Sequence, residues 1–431
     1  MIKVVDMIMS AGKSSAAISY MNEHPDKKYL YVTPFIDETE RIAKACAELH
    51  FLTPSDDLFE YHHRKRDHLR ALANQGRNVA MTHTLFSMID DVTARVIADH
   101  GYVIIIDEAI DIFRSFKYSE DDIGVLLTSK YLKKSEEDGE YVYYNPDGAK
   151  EYTSGHFKEF FEHAKLGQIV CTSGWDDESK TRFGFWMLNK QLFRLSDEIY
   201  ILTYLFDGMP LKGYLEINKI PYEFTFVRKC EDGKYRFSDA PETPGYVKHL
   251  RQHIHLCEKP SINAIGDRPN ALSATWTKAA IHDGSIANLR KHINAFFRRH
   301  VPADIDADKR LWCTFKDAEP AVRDKGFTNT HLVYNSRATN DYNDRAALAY
   351  CVNIYPQPGL KEYLAYHKVD LDWDKYAIAT MVQWIWRSRI RNGQDIWLYI
   401  PSRRMRTLFI KWMKQAEEAY DEEVKSRNAG Q

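Results

Sequence analysis

The segment GYVIIIDEAID (101–111) constrains the fold more than any other stretch of this chain. Val103, Ile104, Ile105 and Ile106 are apolar and β-branched without alternation, and they run straight into Asp107 and Glu108. A strand that is apolar on both faces must be covered on both faces, which points to a parallel sheet flanked by helices. Two adjacent carboxylates at the end of such a strand are costly unless a cation or hydrogen bonds compensate them. Further strand candidates are KVVDMIM (3–9), YLYVTP (29–34), NVAMT (78–82), QIVCT (168–172) and IYILTYLF (199–206). Helical patterns at 14–22, 37–48, 57–75 and 84–100 separate several of them, as an α/β arrangement requires.

A charged, turn-rich stretch, KKSEEDGEYVYYNPDGAKEY, marks an insertion at about 115–165. The texture changes again near residue 212. IPYEFTFVRKCEDGKYRFSD (220–239) has the pattern of a hairpin with Asp232-Gly233 as its turn. A second α/β set follows, with strands expected at 310–315, 331–335, 347–353 and 395–401 and helices at 276–299, 376–391 and 403–424. The expected division is therefore 1–212, carrying the insertion, and 213–431, a hairpin region followed by a second α/β domain.

At 431 residues the chain is long enough for two such domains. Its formal net charge of -2 offers no global basic field, so any nucleic-acid contact must be local. The six cysteines stand singly, with no C-x-x-C, which argues against a zinc ribbon or a disulfide framework. No apolar run approaches the ~18 residues of a membrane span and the start lacks signal-peptide shape. The expectation is a cytoplasmic protein with no membrane partner.

MIKVVDMIMSAGKSSAAISYM opens the chain with a strand, a small-residue turn (Ser10, Ala11, Gly12), then Lys13, Ser14, Ser15 and a helix. A phosphate-binding loop is built this way: backbone N–H groups surround the phosphates and a helix N-terminus points its dipole at them. Lys13 would reach the β and γ phosphates of ATP, and the Ser14 hydroxyl would bind Mg²⁺. The pattern G-x-x-x-x-G-K-[ST] departs at its first glycine, which is Met7 here; Gly12 is expected to shape the turn. Alone, Gly-Lys-Ser is a weak signal. Joined to Asp107 as a second metal group and Glu108 as the residue that positions or deprotonates water, it becomes one nucleotide site.

In these motifs the chain resembles a superfamily 2 helicase of the DEAD/DEAH type, with Asp-Glu-Ala-Ile at 107–110. The resemblance is greatest to helicase-type ATPases of bacteriophages, and it implies two RecA-like P-loop domains with mostly parallel sheets. YVTPFIDETERI (31–42) and VAMTHTLF (79–86) match segments that contact the nucleic-acid backbone, which implies roles for Thr33, Pro34, Thr82, His83 and Thr84. YILTYLF (200–206) stands where such proteins couple hydrolysis to domain movement, although it lacks the usual Ser/Thr-Ala-Thr. NSRATNDYNDR (335–345) occupies the place of a motif that touches both ATP and nucleic acid, which points to Thr339.

In the second block, MVQWIWRSRIRNGQDIWLYIP (381–401) resembles Gln-x-x-Gly-Arg-x-x-Arg on a helix before a final strand. Gln383 and Arg387 fit the spacing. The second arginine should fall at 390, which is Ile, so Arg389 and Arg391 both stand as candidates. Such arginines stabilise transition-state charge on the γ-phosphate. Basic clusters at 62–70, 296–300 and 402–406 are candidate electrostatic contacts, although a run of charge is more often a solvated face. Only six residues precede Met7, so no adenine-reading segment is expected there and base preference should be loose.

Together these features imply a helicase or translocase acting on single-stranded or forked DNA, with RNA as the alternative, in phage replication or recombination alongside partner proteins in the host cytoplasm. Two rivals share the first block. A terminase-like packaging motor would need several strand-end carboxylates binding two metals, where the second block offers only Asp341, Asp344, Asp370, Asp372 and Asp374. An inactive P-loop binding protein would count Met7 and Ile110 as decay.

Overall fold

The computed structural model describes residues 1–57, 64–108, 112–129, 131–134, 141–144, 152–171, 183–186, 188–327, 330–335 and 341–429. The chain forms two compact units, one of Met1–Asp6, Lys13–Ala240 and Pro356–Leu371, the other of Met7–Gly12, Pro241–Tyr355 and Asp372–Gln431. Both are α/β with mostly parallel sheets, as the unbroken apolar strands require.

In chain order the first unit contains β1 (Ile2–Asp6), β2 (Lys28–Thr33), β3 (Val79–Thr82) and β4 (Tyr102–Asp107). The insertion follows with β5 (Phe113–Ser115), β6 (Leu132–Lys134), β7 (Tyr141–Tyr144), β8 (Ile169–Cys171) and β9 (Phe183–Trp186). Then come β10 (Glu198–Thr203), β11 (Tyr222–Lys229) and β12 (Tyr235–Ser238). The main sheet runs β12-β11-β1-β10-β4-β2-β3. Only β12 is antiparallel to its neighbour. Every residue of β4 is buried, so its apolar run is explained by cover on both faces. The order brings the carboxyl ends of β1, β10, β4, β2 and β3 to one edge of the sheet, where open α/β sheets bind ligands.

The expected hairpin forms, with Gly233 at φ +80° in its turn. It adds to the main sheet because Ile2 through Val5 pair in parallel with Tyr222 through Thr225, so the first unit runs on to Ala240. The segment 168–172 is reassigned by the structure. Its strand, β8, lies in a separate antiparallel sheet, β5-β9-β8-β7-β6, rather than in the parallel one. An isolated apolar run of this length fits either sheet, and only the pairing partners decide. That sheet and the helices Glu120–Thr128 and Lys158–Lys165 enclose Ile123, Leu126, Phe160, Phe161, Phe183 and Phe185.

The second unit contains β13 (Ile254–Leu256), β14 (Arg310–Cys313), β15 (Ala347–Tyr350) and β16 (Ile396–Tyr399), parallel and ordered β13-β16-β15-β14. Two expectations change here. Within 331–335 only His331 bridges, to Trp312, and no strand forms. The long helix expected at 276–299 is two, Ala274–His282 and Ile286–Arg299, interrupted at Gly284, whose φ of +77° is incompatible with a continuous helix. The second of them packs Leu289, Ile293 and Phe296 in one core with Trp312, Ala347 and Tyr399. No helix among the described residues is long and apolar enough to cross a membrane.

Candidate functional site

Lys13 begins the helix Lys13–Glu23, which carries no acidic residue in its first turn. The first turn itself thus supplies no carboxylate to the positive end of the helix dipole. The turn leading into it has φ +59° at Ser10 and +87° at Gly12. Met7 does not need the left-handed region; it is 6% exposed and buried beside Ile8. The Ala11 N–H donates to the Ile8 carbonyl at 3.3 Å, which tightens the turn without a glycine at position 7. Within the second unit, the Tyr246 hydroxyl donates to the Met9 carbonyl of this turn.

The Ser14 hydroxyl donates to Oδ2 of Asp107 at 2.7 Å. The Tyr31 hydroxyl donates to the same oxygen at 2.5 Å, and His83 Nε2 lies 2.9 Å from the Asp107 carbonyl oxygen. Asp107 is thus a buried carboxylate with two hydroxyl donors, the compensation its position demands. Burial raises the Tyr31 phenol well above its ordinary value, and the Asp107 charge adds to this. Glu108 follows at φ +64°, with its N–H donating to the Leu202 carbonyl at 3.1 Å. A left-handed glutamate costs on the order of 1–3 kcal/mol, so the fold holds it there against its preference.

Burial pulls the Lys13 ammonium down to about 8, against the opposing charges of Asp107, Asp6 and Glu108. Asp6 was not singled out from the sequence. It accepts the Leu205 N–H on Oδ1 at 2.6 Å and the Phe206 N–H on Oδ2 at 3.0 Å. Burial pushes its carboxyl above the usual range, opposed by those two N–H groups and by Lys13. The signal was present: like Asp107, it is a carboxylate that ends a strand directly after apolar residues, here Val4 and Val5. Tyr31 gave no such signal, because its partner comes from a strand 76 residues away.

The structure therefore brings Lys13, Ser14, Asp107, Glu108 and His83 to one edge of the first unit's sheet. Ser10 and Ser15 are exposed and Ala11 is buried. Thr33 is buried at the end of β2 and Pro34 is half-buried; Thr82 caps the helix His83–Phe86 through the Leu85 N–H, and Thr84 is exposed. Thr339 lies outside the described residues, with much of its motif, as do Ala109, Ile110, His62 and His63.

The arginine motif belongs to the second unit, and its helix is shorter than the expected 376–391. It runs Trp373–Ile385, a cap follows at Trp386, extended backbone at Ser388 breaks the turn, and a short 3-10 turn spans Arg389–Asn392. Gln383 is half-buried on the helix and Arg387 is buried beyond it. Arg389 Nε donates to the Asp395 carbonyl at 2.5 Å and its guanidinium lies 5.7 Å from the centre of the Trp397 ring. Arg391 is exposed. Of the cluster at 402–406, Arg404 binds Asp374 at 2.8 Å and Arg406 binds the Ile400 carbonyl at 2.8 Å, so both serve the fold.

The fold and this site define an α/β protein with a Gly-Lys-Ser turn beside a strand-end carboxylate. Residues 248–413 match the model of the YonV C-terminal Rossmann-like domain. Along 425 residues the chain is 30% identical to the SPbeta prophage-derived uncharacterized protein YonV of Bacillus subtilis (strain 168), covering 96% of this chain and 98% of that protein. The chain belongs to the YonV family. Among solved structures it is similar to an XPD helicase (TM-score 0.45, 13% identity, 96% of this chain and 95% of the other). It is also similar to S. tokodaii Xpd4 (TM-score 0.43, 9% identity, 96% and 94%).

Proposed function

We propose that this chain is an ATP-dependent helicase or translocase acting on DNA. The observation that carries the reading is the Ser14 hydroxyl 2.7 Å from the Asp107 carboxylate, directly after Lys13 at a helix N-terminus whose first turn has no acidic residue of its own. These residues fit a nucleotide with Mg²⁺: the hydroxyl and the carboxylate are hard oxygen donors, and Lys13 is a cation placed where phosphates collect. Mg²⁺ held by Ser14 and Asp107 would neutralise phosphate charge. Lys13 and the N–H groups of Gly12 to Ser15 hold the phosphates of ATP, and Glu108 orients water; the Ala11 N–H is taken by the Ile8 carbonyl.

Gln383, Arg387 and Arg391 enter from their sequence motif, as groups that stabilise transition-state charge. The nucleic-acid part rests on the motifs at 31–42 and 79–86, where Thr84 stays exposed in the short helix after β3, and on the sequence motif of Thr339. Single-stranded or forked DNA is the substrate class this implies. The prophage-derived relative supports a phage setting, and the role proposed within it is replication or recombination in the host cytoplasm. Against the packaging rival, Asp344 pairs with Lys309 at 2.6 Å, Asp374 with Arg404, and Asp372 caps its helix. Among the described residues no three His, Cys, Asp or Glu side chains gather as a metal group.

The test is ATP hydrolysis with and without single-stranded DNA, comparing the native chain with Lys13→Ala and Glu108→Gln. DNA-stimulated hydrolysis abolished by either change supports the reading. Hydrolysis that is absent, or indifferent to Lys13→Ala, rejects it.

A further inference from the structure

Asp6 ends β1 directly before Met7, four residues ahead of the small-residue turn that starts at Ser10, and its Cα pairs with that of Thr203 at the end of β10. Its two carboxylate oxygens do not point into solvent. Each accepts one backbone N–H of the turn after β10, from Leu205 at 2.6 Å and from Phe206 at 3.0 Å. Leu205 holds φ +58°, a conformation a leucine adopts only when its surroundings impose it. Phe206 is fully buried, so the far end of the turn is anchored in the core. A carboxylate with two N–H donors is a strong, two-point clamp.

We propose that Asp6 is a positioning residue that clamps the Leu205–Phe206 turn to the base of the phosphate loop, so that nucleotide at Lys13 and the segment 200–206 report on one another. The proposal rests on reading Lys13 as the phosphate lysine. It adds a residue no motif names and a route: β1 carries Asp6 and the loop on one continuous backbone, and the Asp6 side chain reaches from it to the strained turn. Lys13 and Asp6 also face each other electrostatically, each opposing the other's shift on burial, so filling the lysine with phosphate alters the charge the clamp feels. Release of the clamp frees a left-handed leucine to relax, which makes the turn a two-state element of the kind coupling requires.

The test combines hydrogen exchange with steady-state kinetics. In the unmodified chain, a non-hydrolysable ATP analogue should change exchange at the Leu205 and Phe206 amides. Asp6→Asn keeps one acceptor oxygen but sets an NH₂ against the second N–H. Exchange at both amides should therefore rise without nucleotide. The KM for ATP should stay within about 3-fold while the DNA-stimulated part of kcat falls about 10- to 100-fold, the loss expected from misplacement rather than missing chemistry. A purely structural role would lower the melting temperature and leave that split unmoved. Unchanged exchange at the two amides on adding the analogue overturns the proposal even where Asp6→Asn does not fold. So does native DNA stimulation in Asp6→Asn. If Lys13→Ala abolishes hydrolysis and Asp6→Asn behaves as native, this inference alone fails; if the native chain does not hydrolyse ATP, the reading beneath it fails too.

Discussion

Ser14 and Asp107 stand 93 positions apart in sequence, yet the serine hydroxyl donates to the aspartate at 2.7 Å. One belongs to the first turn of a helix and the other to the last residue of a buried strand. A hydroxyl and a carboxylate brought together beside a lysine are what a hydrated divalent cation and its phosphates require. Ser14→Ala removes one of two hydroxyl donors to the Asp107 carboxylate and leaves Tyr31 in place. Hydrolysis should fall by about 10²-fold or more, with half-maximal activity shifted to higher Mg²⁺ concentration. A Mg²⁺ titration of ATPase rate checks this.

Lys13 connects activity and stability with opposite signs. With its amine pulled from 10.5 down to about 8, the unfolded chain binds more protons than the folded one between those values. Its contribution to stability therefore rises with pH across that window. Phosphate binding needs the charged amine, so KM for ATP should rise above pH 8 as the free protein loses it. ATPase kinetics from pH 6.5 to 9.5, repeated with Lys13→Arg, should show the basic limb in the native chain and not in the variant.

Glu198 governs acid stability at the other end of β10. Burial would raise its carboxyl, but hydrogen bonds from Lys27, Tyr200 and Tyr20 outweigh this and hold it at about 2. A depressed carboxylate contributes stability that is complete above its unfolded value of 4.5 and is lost as pH falls toward 2. Glu198→Gln should lower the melting temperature at pH 7 and flatten its fall between pH 4.5 and 2. Thermal unfolding followed across that range checks it.

Arg389 and Arg391 should separate cleanly. Arg389 is held by the Asp395 carbonyl and lies over Trp397, so Arg389→Ala should lower stability by about 1–3 kcal/mol. Arg391 is exposed. Arg391→Ala should shift the urea midpoint less than Arg389→Ala does and slow hydrolysis by about 10³-fold if it is the second arginine of the motif. Paired unfolding and ATPase assays on the two variants distinguish these outcomes.

Gly266 lies against backbone in the second unit. A Cβ there would sit 1.9 Å from the Pro401 carbonyl oxygen and 2.8 Å from Ser402 Cα. Backbone cannot swing aside as a side chain can, so Gly266→Ala should cost about 2 kcal/mol or more. Urea unfolding of that variant gives the number.

Local patterning alone determined much of this protein. Unbroken apolar runs require burial on both faces, so β1, β2, β4 and β10 were visible as parallel strands, and Asp-Gly placed the hairpin turn. Residues whose chemistry conflicts with their surroundings, Asp107 after four apolar neighbours and Lys13 after small ones, were visible for the same reason. Pairing was not. Ile169–Cys171 reads like the other strands, and only its antiparallel partners place it in the insertion. The helix carrying Gln383 stops at Ile385 because Trp386 caps it and Ser388 turns extended, which spacing of arginines cannot reveal. Tyr31 on Asp107 and Asp6 on Leu205 and Phe206 are tertiary decisions as well. Periodicity records how much water a residue loses, whereas the partner that satisfies a buried polar atom comes from whichever strand the topology sets beside it, often far away in the chain.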